Sequence, residues 1–111
     1  MDRVENYRLY IRSLLEGHSK YVSSQDDVES ELFFDTIHDR YQLMRVGWNN
    51  LKRVYYTVMH FDLRDGKIWI QQNMTDIDVG QELVNMGVLK DDIILGLHPP
   101  YKRPYTGYGV A

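Results

Sequence analysis

The chain has 111 residues and a mass of 13.2 kDa, a size that suits one domain, 1–111, around one core. Hydrophobic residues make up 43% and charged residues 26%, and no run approaches about 18 apolar residues, so neither disorder nor a membrane-spanning helix is expected. With no cysteine, disulfides, thiolate catalysis and cysteine-ligated zinc are excluded, and a net charge of −3 argues against a nucleic-acid binder that is basic overall.

The opening Met1-Asp2-Arg3-Val4-Glu5 lacks the basic-then-apolar layout of a signal peptide, so a cytoplasmic location is expected. Residues 3–16 then read as a helix. Val4, Tyr7, Ile11, Leu14 and Leu15 fall on one stripe, with Asp2 as N-cap and Gly17 in the left-handed position after the last turn. The polar, Ser-rich stretch from Gly17 to Asp27 reads as a loop.

Residues 31–73 read as consecutive strands. The first covers Glu31 to Ile37, with a turn near His38-Asp39. Asn49-Asn50 turns the next pair, because Asn tolerates positive φ. Asp65-Gly66 is a two-residue hairpin turn. It sets Leu63 against Ile68, Phe61 against Ile70 and Met59 against Gln72, and this apolar side faces the core. The opposite side carries Tyr56, Val58, His60, Asp62 and Arg64 on one strand and Lys67, Trp69, Gln71 and Asn73 on the other. A slip of one residue would bury the charged set. Met44, Val46 and Trp48 are expected on the core side.

A second helix is expected over 76–86. Thr75 is its N-cap, Asp76 and Asp78 lie at its positive end, Val79, Leu83 and Met86 form its buried stripe, and Gly87 stops it. Ile93 to Leu97 reads as a short strand that Pro99-Pro100 ends. The tail from Tyr101 to Ala111, rich in Tyr and Gly, is expected to dock. The fold class is α+β, in the order α-β-β-β-β-α-β: an antiparallel meander with helices over one face.

Charge is unevenly placed. Residues 1–39 carry four Lys/Arg against nine Asp/Glu, residues 40–74 carry six against two, and residues 75–111 carry three against five. The basic middle could meet phosphate or an acidic partner, or simply be a solvated sheet face.

Four constellations bear on chemistry. His60 and Asp62 share a strand face beside Gln71 and Trp69, where a base could work with its tautomer fixed by a carboxylate, although a polar pair on a sheet has the same look. No G-x-S-x-G, P-loop or dinucleotide fingerprint is present. His18, His38, His60 and His98 match no metal-ligand spacing, so no metal or other cofactor is expected. Tyr56, Arg64, Lys67 and Trp69 are residue types that anchor protein interfaces, and they could equally stack bases and meet phosphate. Arg45, Lys102 and Arg103 are further candidates for a phosphate or an acidic partner. With Tyr at nine, a tyrosine-rich interface and a homo-oligomer are expected.

Three strings then become specific: YQLMRVGW at Tyr41–Trp48, GKIWIQ at Gly66–Gln71, and ELVNMGVLKDDIILGLHPPYKRPYTGYGVA from Glu82 to Ala111. Together they resemble the XisI family, the fdxN element excision controlling factors of cyanobacteria. The resemblance implies a non-enzymatic controlling factor that acts with a protein partner, XisH, and a site-specific recombinase to excise a DNA element during heterocyst differentiation. It supplies no catalytic residue. The family pattern opens the second helix with Thr-Glu-x-Gly-Ile-Ala, whereas this chain has Thr75-Asp76-Ile77-Asp78-Val79-Gly80, departing at Asp78 and Gly80. Direct DNA binding through Arg45, Arg64 and Lys67 is the alternative. Another is restraint of a nuclease-like partner, with Asp26, Asp27, Glu29 and Glu31 imitating nucleic acid.

Overall fold

The computed structural model describes residues 2–20 and 27–111. Helix α1 (Arg3–His18) opens where Asp2 accepts a hydrogen bond from the Glu5 amide at 2.8 Å, as its side-chain chemistry dictates. It buries Tyr7, Ile11, Leu14 and Leu15. Gly17 does not end it. The helix runs through Gly17 to His18, and Ser19 caps it in a right-handed conformation, its amide reaching Leu15 O. Most of the expected loop, residues 21–26 with Asp26 among them, lies outside the described residues.

Four strands follow as an antiparallel meander: β1 (Asp27–Asp35), β2 (Arg40–Asn49), β3 (Lys52–Arg64) and β4 (Lys67–Asn73). Strand β1 starts at Asp27 rather than Glu31 and ends at Asp35, because the Asp35 carboxylate accepts the Ile37 and His38 amides and folds the chain into a turn. Asp39 closes that turn with φ of 54°. Its carboxylate receives Arg8 twice, at 2.8 and 3.0 Å, and the Tyr41 hydroxyl at 2.8 Å, tying the turn to α1. The Arg8 guanidinium holds the Asp39 carboxyl below the usual carboxylate range.

Two bulges correct the simple register. The Asp65-Gly66 turn has positive φ at both residues, 51° and 76°, and pairs Leu63 with Ile68 and Phe61 with Ile70 as expected. Beyond Phe61 the register shifts, so Gln72 pairs with His60 and Met59 with Asn73. A second shift sets Leu43 against Met59 and Met44 against Thr57, leaving Val58 extra. Val58 is accordingly buried in the core instead of lying on the opposite side. The β2–β3 turn also falls one residue late, at Asn50-Leu51, with Asn50 at φ 56°. That later turn leaves the parity unchanged, but the extra residue at Val58 reverses it, so Met44, Val46 and Trp48 leave the core side and Tyr41 and Leu43 take their place, both fully buried.

Helix α2 is Val79–Met86, not 76–86, and its N-cap is Asp78, which accepts the Gln81 amide at 3.0 Å. Thr75 instead shapes the preceding turn, its Oγ1 accepting the Ile77 amide. The last strand, β5, is only Ile93–Ile94; it runs parallel to β4 and makes the sheet mixed and five-stranded. Gly96 and Leu97 fold away from regular pairing, although the Leu97 amide still reaches Ile70 O at 3.1 Å. The tail docks through Tyr108, packed on the core, and Gly109, whose amide bonds Lys90 O and Ile93 O; Tyr101 and Tyr105 stay exposed. Among the described residues no helix is long and apolar enough to cross a membrane.

Candidate functional site

The α1 side of the sheet holds the core. Phe34 marks that side, packed on Tyr41 and under the Arg12 guanidinium of α1. By strand alternation Phe33 lies on the other, open side, as do Met44, Val46 and Trp48.

On the open side of the β3–β4 hairpin the structure gathers a cluster around Asp62. Its Oδ1 lies 2.8 Å from His60 Nε2. Its Oδ2 accepts Arg64 Nη2 and Gln71 Nε2, each at 3.1 Å. Asp62 is only 4% exposed, so this carboxylate is desolvated and depends on those donors. The bulge beside Phe61 leaves Gln71 extra in its strand, and Gln71 is the residue that reaches Asp62. His60 and Asp62 reach each other because residues two apart on a strand share a face.

Trp69, opposite Asp62, is half-buried under its own chain. The Arg64 and Arg103 guanidiniums lie 5.5 and 5.2 Å from its ring, within cation–π range. Gly96 passes so close that a Cβ there would lie 2.6 Å from Gln71 Oε1 and 3.2 Å from the indole. Arg103 is held in place by its Nε donating to His98 O at 3.2 Å. This use of Arg103 and Gly96 has no local signature in the sequence, since the partners are more than twenty residues away.

The other expected site residues scatter. Tyr56 pairs with Arg45 beyond the Val58 bulge, so it loses the parity of His60 and does not join the cluster. Arg45 is on the α1 side, donating to Ser30 Oγ and to His18 O. Lys67 sits opposite Arg64 at the hairpin end, and Lys102 is exposed in the 3₁₀ helix Pro100–Tyr105 beside Arg103. His18 bonds Glu82 at 3.0 Å and His38 bonds Asp35 at 2.8 Å, each far from His60 in the chain. Among the described residues no three His, Asp or Glu side chains gather to hold a metal ion.

The cluster can orient an imidazole and neutralise a buried carboxylate. An imidazole, a guanidinium and a carboxamide all engage that carboxylate. A model of one family, described as XisI protein, matches residues 1–110.

The chain belongs to the XisI family.

It is similar to a crystal structure of a XisI-like protein from Anabaena variabilis ATCC 29413, with 51% identity over 97% of this chain and 99% of that one, at a TM-score of 0.91. It is also similar to the fdxN element excision controlling factor XisI from Anabaena variabilis ATCC 29413, with 32% identity over 99% of this chain and 100% of that one, at a TM-score of 0.85. No curated protein matches. The two positions where this XisI-family chain departs from the pattern at α2 both have structural work. Asp78 caps the helix, and Gly80 leaves room for Tyr108, whose hydroxyl would lie 2.8 Å from an added Cβ.

Proposed function

We propose that this chain is an excision controlling factor that performs no chemistry of its own and acts by binding a XisH-like protein, which in turn serves a site-specific recombinase. The observation that carries this reading is the likeness to the excision controlling factor XisI over nearly the whole of both chains. The saturated Asp62 cluster supports it, because each carboxylate oxygen is already engaged by the chain's own donors. We assign the docking edge to the cationic rim at the β3–β4 turn: Arg64 and Arg103 over Trp69, with Lys67 opposite Arg64 and Lys102 next to Arg103 in the chain. Such a rim suits an acidic surface on the partner.

Co-expression of the full chain with a XisH-like protein tests this. A stable complex at micromolar concentration is expected, weakened about tenfold or more by Arg64→Glu with Lys67→Glu and unaffected by His60→Ala. No complex at that concentration overturns the reading. The same rim favours a second reading, direct contact with DNA phosphates. Duplex binding by the chain alone, falling steeply with salt, is the result that would choose it.

A further inference from the structure

The half of the open face that the C-terminal segment does not cover carries an unusual set of side chains. An antiparallel sheet with one wet face is expected to be polar there. Here Phe33, Trp48 and Tyr55 are 48%, 47% and 65% exposed, with Met44 and Val46 between them. Arg53 stacks on both Trp48 and Tyr55, at 5.4 and 5.7 Å. The stripe runs down β2, and its flanks have opposite sign. Away from the Trp69 end, β1 presents Asp27, Glu29 and Glu31 on one side. On the other side β3 presents Arg53 beside the uncharged Tyr55 and Thr57, and the acidic level of Asp35 and Asp62 lies at the covered end.

We propose that this face is an interface between two copies of the chain, packed sheet against sheet about a two-fold axis parallel to the strands and running along β2. Stacked sheets keep their strands within about 30° and lie about 10 Å apart. Two such axes are available in the plane of the interface. An axis across the strands would lay β1 on the β1 of the second copy, acid row upon acid row. An axis along the strands lays β1 on the second copy's β3 and keeps each residue at its own level. Asp27, Trp48 and Arg53 share one level in the register. The arrangement therefore puts Asp27 of each copy over Arg53 of the other, and brings the two Trp48 side chains, the two Val46 and the two Met44 together on the axis. A face whose acidic and basic flanks exchange under a two-fold is self-complementary, which is what a symmetric dimer needs. The covered end at Trp69 stays outside the contact, so the rim assigned to a XisH-like partner remains open, and the dimer does not depend on that partner.

The test is a charge exchange read by analytical ultracentrifugation on the full chain. The wild type is expected to dimerise at micromolar concentration. Asp27→Arg alone and Arg53→Asp alone set like charges against each other in both contacts, and each is expected to weaken the dimer at least tenfold. An equimolar mixture of the two variants restores opposite charges in both contacts and is expected to recover the dimer. Interactions within one chain cannot produce that recovery. A wild type that stays monomeric at about 100 μM, single variants with wild-type affinity, or a mixture that fails to recover overturns the proposal. Circular dichroism checks that both variants fold. If one does not, Trp48→Ala is expected to show the same loss, and an unchanged dimer there is equally fatal.

Discussion

The Tyr7 hydroxyl donates to the Asp92 carboxylate at 2.6 Å, joining the first turns of α1 to the chain just before β5 across 85 residues. Both groups are buried, and the Leu89 amide also points at the same hydroxyl, at 3.4 Å. Arg3 is the other partner of Asp92, at 3.6 Å, but it is largely exposed and supports the carboxylate only weakly. Replacing Tyr7 by Phe keeps the ring and deletes the donor. The loss of one buried hydrogen bond to a charged group is expected to cost about 1–3 kcal/mol in urea unfolding. A change below about 0.5 kcal/mol would show that water replaces the hydroxyl.

Tyrosines should make the fold sensitive to alkali. Tyr41 is fully buried, and burial together with its hydrogen bond to Asp39 pushes its pKa up to about 12 from 10.0. Burial raises Tyr7 as well. A raised tyrosine pKa means the neutral form is favoured in the folded state. The contribution is therefore complete below pH 10 and lost as pH climbs toward about 12. For Tyr41 alone it amounts to roughly 2–3 kcal/mol. Unfolding free energy measured from about pH 9 upward should fall, and Tyr41→Phe should flatten that fall. An identical slope in the variant would mean that Tyr41 does not govern it.

How far the sequence foretold this structure depends on whether local chemistry or long-range packing decided each feature. Asp2, the Asp65-Gly66 turn and the Leu63–Ile68 and Phe61–Ile70 pairs were legible, because caps and two-residue hairpins are set by neighbouring residues. The side of the sheet that Trp48 takes was not. The one extra residue at the Val58 bulge reversed the parity along β2, because a single slip moves every side chain to the other face. The α2 start was expected at Thr75, whereas the cap is Asp78, three residues later, and Thr75 is used in the preceding turn. At the candidate site His60, Asp62, Gln71 and Trp69 could be grouped from alternation alone. Arg103 and Gly96 could not, since nothing near them signals that the chain returns over Trp69.

Two glycines should respond to alanine in opposite ways. Gly17 lies inside the last turn of α1, and an added Cβ there meets nothing within 4 Å. Alanine gains helix propensity at such a position, so Gly17→Ala is expected to stabilise by up to about 1 kcal/mol. Gly80 lies in the first turn of α2, where a Cβ would sit 2.8 Å from the Tyr108 hydroxyl and 2.9 Å from its Cζ. Gly80→Ala has to push the Tyr108 ring off its seat and is expected to cost about 1–3 kcal/mol. Thermal unfolding of both variants gives the comparison. Equal shifts of the same sign would mean that the tail does not press on α2.

The Asp62 cluster separates a structural role from a catalytic one. Removing one member of a buried ion pair costs about 3–5 kcal/mol when the remaining charge is trapped without water. Arg64 is not trapped: its side chain is 53% exposed and can turn outward. Gln71 and His60 would lose their acceptor, so Asp62→Ala is expected to cost less than a fully trapped pair, roughly 2 kcal/mol. Arg64 would also leave the Trp69 ring more freely, which the indole fluorescence should report. His60→Ala removes only one of three donors and leaves Arg64 and Gln71 on the carboxylate, so about 1 kcal/mol or less is expected. A cluster that serves the fold should show this order in stability, with partner binding by the His60 variant unchanged at a temperature where both proteins are folded. If His60→Ala leaves stability intact yet abolishes the activity in cells, the imidazole has a chemical task, and the non-enzymatic reading fails at this residue.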